Sequence, residues 1–148
     1  MSETSTQSSK VHMDYFKTAF GGFAPHLDED AAIKFTLNAV LLDNRLDELV
    51  EVVIDGSQFG GIEGEPGWTL ERRDVADEGN EMAYPGLPAG ARFKASVDED
   101  AYRLKHPEYF MDREGFMKYL VLAIDAYVAI DPARKNAPSV VALRKVVM

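Results

Sequence analysis

The sequence contains no cysteine. That excludes disulfides, thiolate-held metals and thiol catalysis, and it is compatible with a reducing cytosol. Histidine is almost as scarce. His12, His26 and His106 lie far apart, in no metal-ligand spacing, and are expected at the surface or in loops. Serines crowd into the first ten residues, with neither a Gly-x-Ser-x-Gly elbow nor a Ser-His-Asp grouping. The Gly21-Gly22 pair has no P-loop lysine pattern around it, so its expected role is to end a helix. No cofactor motif is present and no cofactor is expected. No apolar run approaches the roughly 18 residues of a membrane span. Residues 1–10 are polar, lack the apolar core of a signal peptide and are expected to form a disordered tail.

Cations are also in short supply: 16 lysines and arginines face 25 acids, a net charge of −9. The imbalance is local. Residues 28–55 hold eight acids and two bases, residues 63–81 seven and two, and residues 115–148 two acids and five bases. An acidic front argues against direct nucleic-acid binding, which needs cations opposite phosphates. It suits either a basic protein partner, with charge speeding the encounter, or solubility alone.

What is present is enough for a core. The chain has 148 residues, of which 46% are apolar, and it fits one domain, expected over residues 11–148. The strongest periodic signal is at 112–130. Phe116, Leu120, Ala123, Ile124 and Tyr127 recur at steps of three and four, widened by Met117, Val121 and Val128. Asp112 is placed to cap this helix, and Asp131-Pro132 to close it.

Residues 13–20 form a short helix in this reading, with Phe16 and Phe20 on one face. Asp28, Glu29 and Asp30 open a second, with Ile33, Leu37, Val40 and Leu41 inward and Phe35 beside them. A third restarts at Asp43 or Asn44, carries Leu46, Leu49, Val50 and Val53, and stops at Asp55-Gly56. The β-branched run Val52-Val53-Ile54 leaves strand open for its end. The glycine-rich stretch 58–67 reads as a loop, 68–73 as a weak strand, and 75–89 as another loop. The clearest strand is 91–97. After a turn at Asp98-Glu99-Asp100, residues 101–104 are predicted to return as the second strand of a hairpin. Pro107 interrupts it, and 109–111 is extended. A last helix starts near Pro138 with Val140, Leu143 and Val147 inward. The fold class is α+β: N-terminal helices, a small antiparallel sheet with a hairpin, and two C-terminal helices.

Acids are the only abundant reactive side chains. Asp98, Glu99 and Asp100 read either as a cation-binding run or as a solvated turn, and they lack the glycine and the spaced oxygens of a calcium loop. Trp68 and Tyr84 are placed in polar loops. There they serve either as anchors of the domain's own loops or as partner-binding side chains, a role enriched in Trp and Tyr. No catalytic residue and no metal ligand emerges.

The strand Ala91-Arg92-Phe93-Lys94 is followed by an acidic turn and a short aromatic strand. Then comes an Asp-led helix with Phe116, Tyr119-Leu120, Ala123 and Tyr127 that ends before Pro132. Tyr15-Phe16 and Phe20-Gly21-Gly22-Phe23 stand upstream. Over roughly half of its length the chain thereby resembles the immunity proteins that protect bacteria from ribonuclease toxins of contact-dependent growth inhibition. Residues 56–88 depart from that family's pattern, being longer and richer in glycine and proline.

The resemblance implies a cytoplasmic antitoxin that is not an enzyme. It would bind the nuclease domain of a cognate toxin and block its active site. Its partner would be a basic protein, with no nucleic acid and no membrane. Under that reading, charge and loop placement nominate Asp77, Glu78, Glu81, Asp98, Glu99 and Asp100 as contact residues, with Trp68 and Tyr84 as aromatic anchors. Two other classes compete. One is an acidic adaptor or oligomerisation domain without a nuclease partner. The other is a small carboxylate-using hydrolase, against which the missing histidine, serine and metal constellations count.

Overall fold

The computed structural model describes residues 15–64, 67–74, 88 and 90–147. Among these residues, five α-helices and a four-stranded sheet share one hydrophobic core, so the chain is α+β. The helices are α1 (Phe16–Phe20), α2 (Ala31–Leu42), α3 (Leu46–Val53), α4 (Arg113–Ile130) and α5 (Pro138–Val147). The strands are β1 (Gly61–Gly64), β2 (Trp68–Arg72), β3 (Phe93–Val97) and β4 (Glu108–Met111), antiparallel throughout and in the spatial order β1-β2-β3-β4.

The centre of the molecule is α2. Eight of its twelve residues are buried, including Ala31, Ile33, Leu37, Val40 and Leu41, so it is apolar nearly all round. Its buried polar groups are satisfied: Asn38 Oδ1 accepts from the Tyr15 amide at 2.8 Å, and the Thr36 hydroxyl donates to the Ile33 carbonyl at 3.2 Å. The acids before α2 do not cap it through their side chains. Asp28 accepts from the Ala24 amide at 2.8 Å and from Lys34, while Asp30 accepts from the Tyr119 hydroxyl at 2.6 Å.

Helix α4 follows its periodicity. The Asp112 carboxylate accepts from the Gly115 amide at 2.7 Å, and Phe116, Leu120, Ala123, Ile124 and Tyr127 are all buried. Phe116 stacks on Phe93 of β3, ring centroids 4.0 Å apart, which locks this helix to the sheet. Beyond Asp131, residues Pro132–Asn136 make a 3₁₀ turn before α5. In α3 the run Val52-Val53 is helical and Ile54 alone is extended, because both valines face the core from the helix. Gly21 ends α1 in the left-handed conformation, φ 74°.

Two strand assignments need correction. The stretch 58–67 is not loop throughout, since Gly61–Gly64 forms β1 and pairs with β2, Ile62 opposite Leu70 and Gly64 opposite Trp68. Ladder hydrogen bonds come from the backbone, so glycines can hold a strand that shows no side-chain alternation. Residues 101–104 are not the return strand of the hairpin. The amides of Ala101 and Tyr102 bond back to the Asp98 carbonyl at 2.9 and 3.1 Å, which makes a turn, and Leu104 plugs the core. The strand that pairs with β3 is Glu108–Met111, with Ala95 opposite Tyr109.

Candidate functional site

Alternation in β2 and β3 separates two faces of the sheet. Trp68, Leu70 and Arg72 of β2 and Phe93, Ala95 and Val97 of β3 face the helices and are buried. The opposite, outer face is polar. One register row across it reads Glu63, Thr69, Ser96 and Glu108; the next reads Gly61, Glu71, Lys94 and Phe110. Thr69 and Ser96 join the middle strands through a hydroxyl–hydroxyl bond of 2.5 Å. Lys94 lies 3.3 Å from the Glu108 carboxylate and 5.8 Å from the Phe110 ring centroid, so the one cation of these two rows is already engaged. Glu63 and Glu71 form no ion pair among the described residues.

This face runs into clefts at both ends. A cleft of about 610 Å³ lies over β3 and the turn beyond it, lined by Lys94, Ser96, Asp98, Glu99, Arg103 and Glu108. A second, about 430 Å³, is formed where Arg45 and Glu48 of the α3 start meet Glu63, Thr69 and Glu71. Arg45 pairs with Glu48 at 2.6 Å, and this bond holds the Glu48 carboxyl below its ordinary range. Arg103 stands 3.4 Å from Glu99. Carboxylates therefore outnumber cations here, and each cation has an acid beside it. A surface of this kind attracts cationic groups and repels phosphates.

The residues nominated from sequence have different fates. Asp98, Glu99 and Asp100 sit exposed in the turn after β3, and the first two line the larger cleft. Trp68 is a correction. It lies in β2, not in a polar loop, and is 3% exposed, with the Arg45 guanidinium 5.5 Å from its ring centroid. Its ring also covers Gly64, so it anchors the fold and offers almost no surface to a partner. Asp77, Glu78, Glu81 and Tyr84 lie outside the described residues. His26 is exposed and His106 half-buried, and no group of three or more His, Asp or Glu side chains among the described residues could hold a metal. No helix among them is long and apolar enough to cross a membrane.

Sequence reasoning missed Glu63, Glu71 and Glu108 as a surface. They are 45 residues apart at the extremes, and only strand register brings them onto one face of the sheet. It also missed Arg72, whose position in phase with Trp68 and Leu70 was the available signal. The Arg72 side chain is buried beneath the sheet and takes the carbonyls of Glu51 and Val52, both at 2.8 Å, that end α3. Arg113 adds a bond to the Val53 carbonyl at 3.2 Å.

Compared with protein-family models, with curated proteins and with solved structures, the chain matches none.

Proposed function

We propose that this chain is an immunity protein of contact-dependent growth inhibition. It acts in the cytoplasm by binding a cognate nuclease toxin domain, a ribonuclease, and covering its active site. The observation that carries the reading is the acidic outer face of the sheet, where Glu63, Glu71 and Glu108 stand on three of its strands and Asp98 and Glu99 on the turn that follows β3. A ribonuclease cleft is basic because it holds RNA phosphates. Carboxylates spaced across a sheet match that cleft in sign, speed the encounter and exclude the substrate. The resemblance of the 91–127 segment to immunity proteins points the same way. Binding alone accomplishes the protection, and no reaction is required of this chain.

The test is a pull-down from native lysate at low and high salt, using the wild-type chain and a Glu63→Lys/Glu71→Lys/Glu108→Lys variant. A basic nuclease domain recovered by the wild type, weakened by salt and lost with the variant, is the expected result. Recovery of no nuclease, from cells that encode one beside this gene, sinks the reading.

An adaptor or oligomerisation role is the second reading. Leu122 of α4 and Val141 of α5 are 44% and 41% exposed and would suit self-association through the C-terminal helices. Sedimentation showing a dimer that Leu122→Glu disrupts would favour it.

A further inference from the structure

Phe59 is 60% exposed, yet the loop that carries it is tied down at both ends. Arg72 Nη2 donates to the Ser57 carbonyl at 2.9 Å, and the Arg72 amide donates to the Gly60 carbonyl at 2.7 Å. The Ser57 hydroxyl in turn donates to the Glu51 carbonyl at 2.6 Å. A buried arginine thus holds an aromatic side chain out toward solvent. The ring forms one wall of a cleft of about 350 Å³ whose other sides are Asp47, Glu48, Glu51 and Gly61. The cleft adjoins the acidic outer face, sharing Glu48 and Gly61 with the cleft over β1 and β2. Of its carboxylates, Glu48 is paired with Arg45, Asp47 accepts from the Ser139 hydroxyl, and Glu51 has no ion pair among the described residues.

An apolar surface ringed by acids selects its occupant. A second copy of this chain carries a net charge of −9 and is repelled overall from an acidic cleft. A purely polar cation would leave the ring uncovered. We propose that the Phe59 cleft is the anchor of the partner interface and takes a basic segment of the partner, one apolar side chain against Phe59 and flanking lysines or arginines on Asp47, Glu48 and Glu51. The proposal deepens the immunity reading and rests on it for the partner's identity; the chemistry of the occupant follows from the cleft. Preorganisation by Arg72 spares the interface the ordering of the Phe59 loop.

The experiment uses the full chain and two synthetic heptapeptides of lysine and arginine, one with a central leucine and one with serine in its place. Affinities are measured by fluorescence anisotropy at low salt. The wild type binds the leucine peptide about tenfold more tightly than the serine peptide, the preference expected of one partly buried aliphatic side chain. Phe59→Ala abolishes the preference, Phe59→Leu retains most of it, and the emission of Trp68 is the same in all three proteins. Equal affinity of the wild type for both peptides overturns the proposal, as does an unchanged preference in Phe59→Ala. No toxin enters this measurement. Its failure leaves the immunity reading standing, and failure of the lysate pull-down leaves the peptide preference standing.

Discussion

Arg72 Nη1 donates to the Val52 carbonyl at 2.8 Å, tying the middle of the sheet to the end of α3. The same guanidinium reaches the carbonyls of Glu51 and Ser57 and, through Nε, Asp74 at 2.5 Å. Arg72→Met removes the arginine's bonds from all of these acceptors, leaving the Asp74 carboxylate with the Gly56 amide and the Glu51 carbonyl with the Ser57 hydroxyl. We expect a loss of about 3 kcal/mol, the range found when one partner of a buried charged network is removed. Arg72→Lys recovers only part, because one ammonium cannot span the fork's partners. Urea unfolding measures both; an unchanged midpoint in Arg72→Met would remove Arg72 from its role at the α3 end.

A side chain at Gly64 has no room. A Cβ there would lie 2.0 Å from Cε2 and Nε1 of Trp68. Gly64→Ala must therefore push the indole outward or bend β1 away from β2. We expect destabilisation of about 2 kcal/mol, typical of overpacking. Since Trp68 is the only tryptophan, its emission reports the displacement directly as a red shift. An unshifted spectrum with unchanged stability would contradict the packing of Trp68 over Gly64.

Acid should weaken the fold through Asp28 and Asp74. The Ala24 amide, then Lys34, hold the Asp28 carboxyl below its ordinary range; Arg72, then the Gly56 amide, do the same for Asp74. A depressed folded-state pKa means that the unfolded chain binds the proton first as pH falls. The contribution is complete above the unfolded carboxyl value of about 4 and disappears as pH drops through the lower folded values. Asp28→Asn is expected to lower stability at neutral pH and to flatten the acid limb of stability against pH. A limb of unchanged slope would refute the Asp28 share.

Alkali should act through Tyr119. Burial first, then its bond to Asp30, pushes its hydroxyl well above the usual phenol value. The unfolded chain then ionises first, so this contribution is complete below about pH 10 and is lost as pH rises beyond it. Spectrophotometric titration of the folded protein should show Tyr119 silent until unfolding. Tyr119→Phe should cost about 1 kcal/mol at neutral pH and leave the number of phenols titrating in the folded state unchanged. A fall in that number would show that Tyr119 titrates normally.

What was legible in the sequence was what local periodicity and caps determine. Helix α4 announced itself through Asp112, the Phe116-to-Tyr127 stripe and Pro132, because a core-facing helix must repeat its apolar residues every three or four positions. Strand β3 did the same at period two. The α+β class followed from the order of these elements.

Other features depended on partners distant in the chain. Nothing local separates 101–104 from 108–111, each with aromatic and apolar residues; the turn at Asp98 and the burial of Leu104 decide which one pairs with β3. Strand β1 is half glycine, so its existence rests on the backbone of β2. Trp68 went inward because Gly64 opposite it left space for an indole. The acidic outer face came from register, which put Glu63 of β1, Glu71 of β2 and Glu108 of β4 on the same side of the sheet, and the exposure of Phe59 came from Arg72 beneath its loop. The helices, strand β3 and the sign of the charge are properties of neighbours along the chain, so they could be read locally. Which acids share a surface, and that Phe59 faces solvent, are set by contacts between segments far apart in sequence, so they emerge with the packed fold.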